Sequence, residues 1–236
     1  MQDAEMCKNR GEDYLHGKDI EGEMMRTIES QIAKAWKDTG NEFAHARNPK
    51  CVFWTEQASL KYPFYFNLRR YFEKSGISQK LALVPEYNPT TPHNATCGDK
   101  ECPCRSTKRR KKQMHIDLCL VEFEKEVLRS NIEYKDYKYR NMWCFKPRPI
   151  VAMEFKYYYK FEKWLLNEDV KKLLKMEKVY GAQLLYICFA TYERSDITKS
   201  LKYIKQIIRQ KTSIKAKFRL AVGTLEKNDW KIISIN

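Results

Sequence analysis

Between Gly181 and Thr191 the chain carries one nearly unbroken apolar stretch, residues 182–190, interrupted only by Gln183. A strand with one wet face alternates apolar and polar residues, whereas a strand buried on both faces need not. The stretch is too short to span a bilayer. Its place directly after a glycine makes it the start of a new element. It therefore predicts a sheet covered by helices on both sides, and its neighbours agree. Residues 167–180 read as a helix, with Asn167 as N-cap, Glu168 and Asp169 complementing the positive end of the helix dipole, and Gly181 as the stop. Residues 196–212 read as a basic amphipathic helix. A strand set between two helices belongs to an α/β sheet.

The other elements follow from spacing and punctuation. Met24, Ile28, Ile32, Ala35 and Trp36 recur at helical intervals, predicting a helix over 20–38 that stops near Gly40 and follows a loose polar arm at 1–19. Residues 53–74 are helical again, split or kinked at Pro63. Residues 81–84 begin a strand that Pro85, Glu86 and Tyr87 close. Residues 216–225 and 230–235 form a hairpin.

Two further apolar stretches carry acids. Residues 115–120 enclose Asp117, and the run that starts at Pro149 ends on Glu154, Phe155 and Lys156. Side chains at i and i+2 of a strand share a face, so Glu154 and Lys156 should stand together at the rim of a sheet. If the two strands are neighbours, Asp117, Glu154 and Lys156 make a small oxygen-rich metal site with a lysine beside it. The bland reading is a surface ion pair between Glu154 and Lys156.

Asp117, the Glu154-Phe155-Lys156 triplet and the order helix, strand, strand, strand, helix, strand resemble the PD-(D/E)XK nuclease superfamily, the restriction-endonuclease-like fold. The resemblance covers roughly residues 50–195. Ile116 stands where the family's motif has proline. The resemblance implies an α/β fold with a mixed central sheet flanked by helices. It divides the chain into an arm and helix at 1–50 and a nuclease-like domain at 51–236, with a Cys-rich basic loop inserted at 88–112 and a C-terminal hairpin. It implies a magnesium- or manganese-dependent nuclease, an endonuclease acting on DNA before RNA. Asp117 and Glu154 would hold the metal with the carbonyl of Phe155, and Lys156 would assist attack on the phosphate. A further acid from the preceding helix is expected, Glu56 first and Glu86 second. Gln183 either faces the site or is solvated.

The rest of the chain bears on partners. Lysine and arginine number 45 against 30 acids, a formal charge of +15, which favours a polyanion partner. Arg105, Lys108, Arg109, Arg110, Lys111 and Lys112 form one basic cluster. Lys202, Lys205 and Arg209 share one face of the 196–212 helix. Either would grip phosphates, though the first also has the composition of a nuclear localisation signal. Tyr157, Tyr158 and Tyr159 would stack on bases or pack against the domain. Cys97, Cys102 and Cys104 with His93 suit a zinc site, with Cys51 as a remote alternative ligand. The alternative to a nuclease is a non-catalytic, zinc-stabilised nucleic-acid-binding module, or a structural protein on a degenerate nuclease fold. No stretch reads as a membrane span or signal peptide, so an intracellular protein without a membrane partner is expected, nuclear if eukaryotic; a homodimer is compatible with the sequence.

Overall fold

The computed structural model describes residues 9–46, 57–76, 81–87, 114–122, 148–157, 162–191, 193–210, 214–224 and 227–236. Its elements are α1 (Asn9–Ala46), α2 (Gln57–Ser75), β1 (Leu81–Tyr87), β2 (Ile116–Glu122), β3 (Arg148–Tyr157), α3 (Lys163–Tyr180), β4 (Leu184–Thr191), α4 (Arg194–Arg209), β5 (Lys217–Thr224) and β6 (Asp229–Ser234). The six strands form one sheet in chain order, β1 to β6. β1, β2 and β3 run antiparallel, β3, β4 and β5 run parallel, and β6 returns antiparallel against β5. The expected mixed α/β sheet with flanking helices is what the chain forms.

Connection chirality decides which face each helix covers. β3 to β4 and β4 to β5 are successive parallel steps in one direction, so right-handed crossovers put α3 and α4 on the same face. Leu166, Val170, Leu173, Ile197, Ile204 and Ile208 pack there against Ala152, Leu185, Ile187 and Phe189. Among the described residues, α1 and α2 cover the opposite face. Ile28, Ile32, Trp36, Leu60, Phe64 and Leu68 cover it, over Leu118, Met153, Phe155 and Tyr186. β4 is buried along its whole length, as its missing alternation requires. Trp36 anchors α1: its indole N–H donates to the Val222 carbonyl at 3.1 Å, and its ring lies 5.0 Å from Trp230 and 5.9 Å from Phe64.

Several expectations fail for tertiary reasons. Gly40 does not stop α1. A Cβ there would lie 2.3 Å from the Trp230 ring, and one at Gly223 would lie 2.7 Å from it, so both glycines make room for that indole. The first helix starts at Asn9, so much of the predicted loose arm is helical. Pro63 neither splits nor ends α2. α3 begins at Lys163, with Glu162 at the cap, which puts Asn167 inside the helix and Asp169 beyond the first turn. Gly181 does close it, in the left-handed conformation at φ 76°. Pro85 lies within β1, which tolerates a proline because among the described residues it is an edge strand.

Candidate active site

The register of the first three strands places the acids. Pro85 pairs with Leu118 and Tyr87 with Ile116, so Glu86 lies level with Asp117. Leu118 pairs with Met153, and one step beyond that pair Asp117 lies level with Glu154. The backbones of three acids therefore lie level across β1, β2 and β3. A direct bond locks two of these strands together at this level: the backbone N–H of Phe155 donates to Asp117 Oδ2 at 2.8 Å. The contact seen for Phe155 is thus through its N–H, whereas its expected role was through its carbonyl.

Alternation along β3 divides the work between faces. Phe155 points into the core under α2, its ring 5.4 Å from Phe64, and it is fully buried. Its neighbours Glu154 and Lys156 must then project to the other face, where α3 meets them. The rim position expected for the pair is wrong for Glu154. β3 is an interior strand and Glu154 is 1% exposed.

The expected pairing of Glu154 with Lys156 is also replaced. Lys172 of α3 places its Nζ 3.3 Å from each Glu154 oxygen. Lys156 instead reaches Asp169 Oδ2 at 3.2 Å. That contact is off the hydrogen-bonding direction, so Asp169 Oδ2 has an ion pair but no formed hydrogen bond. Lys172 lies 3.9 Å from the other Asp169 oxygen. From α2, the nearly buried Lys61 bonds Glu86 closely and stands 3.9 Å from Asp117 Oδ1. Glu86 holds its backbone at φ 50°, a left-handed conformation unfavourable for a non-glycine residue.

These arrangements shift the titrating groups. Burial is the main cause that pushes Glu154 up to about 9; the Asp117 charge adds to the rise, and the Lys172 ammonium opposes it. Burial also raises Asp169, against the pull of Lys156. For Lys172, burial lowers its pKa, but Glu154 and Asp169 outweigh that and raise it.

The expected Asp117, Glu154 and Lys156 lie on neighbouring strands β2 and β3, but their direct partners are the Phe155 N–H, Lys172 and Asp169; Lys61 and Lys172 are not among the expected residues. Asp169 was assigned to the helix dipole. Its spacing from Leu166, Val170 and Leu173 puts it on the buried stripe of α3, and that was the available signal. Gln183 is not at the site: its N–H bonds the Ile150 carbonyl, four residues before Glu154 along β3. Lys202, Lys205 and Arg209 lie on α4 away from its buried face of Ile197, Ile204 and Ile208. Glu56, Cys51, His93, Cys97, Cys102, Cys104, Arg105, Lys108, Arg109, Arg110, Lys111, Lys112, Tyr158 and Tyr159 lie outside the described residues.

Among the described residues no three His, Cys, Asp or Glu side chains are gathered to hold a metal ion. A four-ligand zinc centre does not fit this cluster. Magnesium is commonly held by one or two carboxylates and keeps several waters, and Asp117 with Glu154 suits that demand. Among the described residues no helix is long and apolar enough to cross a membrane. Comparison with models of known families, with curated proteins and with solved structures returns no match.

Proposed function

We propose that the chain is a metal-dependent nuclease, acting on DNA before RNA, with its reaction centre at Asp117, Glu154 and Lys156. The observation that carries this reading is the bond from the Phe155 N–H to Asp117 Oδ2, which ties the Asp117 carboxyl to the backbone next to Glu154, the acid level with it on the adjacent strand. The element order from α2 to β4, with the acids on β2 and β3, supports the same reading.

A magnesium or manganese ion bound there would polarise the scissile phosphate and acidify a bound water. Asp117 and Glu154 would hold that ion. Lys156, kept in place by Asp169, would present its ammonium to charge building on the phosphate oxygens. Lys61, close to both Glu86 and Asp117, would offset the repulsion between these two acids.

The test is incubation of plasmid and single-stranded DNA with the protein, with and without magnesium. Cleavage should need the ion and should fall by a hundredfold or more, roughly 3 kcal/mol, in Asp117→Asn and Glu154→Gln. Undiminished cutting by Glu154→Gln would overturn the assignment. A non-catalytic nucleic-acid-binding module is the second reading. It is favoured by the lysines that already occupy Glu86, Glu154 and Asp169, and it predicts DNA binding with no cleavage under any metal.

A further inference from the structure

The site contains two lysines in unlike situations. Lys156 is held by Asp169, whose side chain is 4% exposed, and its own side chain is 21% exposed. Lys172 sits symmetrically on Glu154, 3.3 Å from both oxygens, yet 37% of its side chain reaches solvent. A cation shared equally by two carboxylate oxygens lies where a bidentate metal ion would lie. Its stem comes from the outer helix α3, so it can withdraw along its own exposed side without disturbing the sheet. Lys156 starts from β3 itself and is held by Asp169.

Charge balance gives the reason for such a residue. Glu154 is almost wholly buried, and a buried carboxylate without a partner is costly. A metal ion and the Lys172 ammonium could not both sit against its two oxygens, because two cations at that separation repel strongly.

Resting on the metal-site reading above, we infer that Lys172 is the resident partner of both Glu154 oxygens, whose place a divalent cation must take in order to load. Lys172 thereby controls metal occupancy while Lys156 remains fixed for catalysis. In the metal-free protein Lys172 closes the site. In the loaded protein it moves outward, toward solvent.

The experiment is brief labelling of the full-length wild-type protein with an amine-acetylating reagent at one fixed pH. It is run in chelator and in saturating magnesium or manganese, and read residue by residue by mass spectrometry. Calorimetric titration of the same ion into wild type and Asp117→Asn runs alongside. The expected result is ion binding lost in Asp117→Asn and Lys172 labelling raised about threefold by the ion, the ratio of full exposure to its present 37%. Lys156 and the exposed neighbour Lys171 should not change. Ion binding that depends on Asp117 but leaves Lys172 labelling unaltered overturns the displacement while sparing the metal site. Absence of ion binding, or binding indifferent to Asp117→Asn, overturns the metal-site reading and this inference with it.

Discussion

Glu154 is a carboxyl held where its ionised form is expensive, and the consequence is a pH dependence of definite sign. Its folded pKa is raised to about 9 from an ordinary 4.5, so between those values the folded chain holds a proton that the unfolded chain has lost. Stability must then fall as pH rises through that window and level off above it. In chelator, denaturant unfolding should show the protein weaker at pH 9 than at pH 6, and Glu154→Gln should flatten that loss. At pH 8 the variant should be the more stable protein, by about 1 kcal/mol, although under the proposed function it should be inactive. Asp169 is raised in the same direction, so the flattening should be incomplete. A positioning role for Asp169 makes a separate prediction. Asp169→Asn should release Lys156 and lower the cleavage rate about tenfold or more, with the affinity for magnesium measured by calorimetry nearly unchanged. A merely structural role would instead reduce stability and ion affinity together. At this scale the sequence exposed the part of the site that lies on strands. The i, i+2 rule joins Glu154 to Lys156, and a lone acid in an apolar strand marks Asp117. The partners on helices were hidden, because a buried Asp169 and a half-buried Lys172 are spelled like the charged residues of any solvated helix.

The β3 strand does two jobs that alternation keeps apart. Phe155 is committed to the aromatic cluster with Phe64, and this fixes the register and tilt of the residues on either side of it. Phe155→Ala should therefore cost about 3–5 kcal/mol of stability in denaturant unfolding. It should also reduce cleavage in the fraction that stays folded, because Asp117 is tied to the backbone of this same residue. Elements far from the site are held by other close fits. Gly40 and Gly223 flank the Trp230 ring, and the Trp36 indole closes the contact between α1 and the sheet. Gly40→Ala should destabilise by about 1–3 kcal/mol through overpacking, against the gain of a few tenths to 1 kcal/mol that alanine brings in an exposed helix. A thermal melt decides the sign. Here lies the reason why the order of elements could be read and some of their limits could not. Periodicity found the helices and strands from α1 to β6. Local punctuation misplaced the end of α1 at Gly40 and the break in α2 at Pro63, because a glycine kept for a tryptophan on another strand looks the same in sequence as a helix stop. Asn167 misled similarly: its capping preference is real, but Leu166 is already buried on the helix stripe, which begins one turn earlier.

For the whole molecule the governing quantity is the excess of 45 basic over 30 acidic residues. Net charge alone raises the local concentration of any polyanion, so weak binding to DNA would not by itself locate a contact surface. The face of α4 offers a sharper test, because one side of that helix is buried by Ile197, Ser200, Ile204 and Ile208 and Lys202, Lys205 and Arg209 are carried off that side. If these residues touch phosphates, each contact releases condensed counterions, and the salt slope of the binding constant steepens by about 0.9 per contact. Reversing Lys202 and Lys205 to glutamate changes the net charge by four, from +15 to +11, whatever those residues touch. A general field effect would weaken binding at low salt and fade as screening shortens the range of the interaction. Loss of two contacts would in addition flatten the slope by about two across the whole salt range. Fluorescence anisotropy with a labelled duplex, titrated over several salt concentrations, separates the two. The expected outcome is the flattened slope, with magnesium binding at Asp117 and Glu154 untouched, since α4 supplies none of the side chains gathered there. An unchanged slope would move the nucleic-acid contact off α4 and leave the charge of this helix as a solvated face.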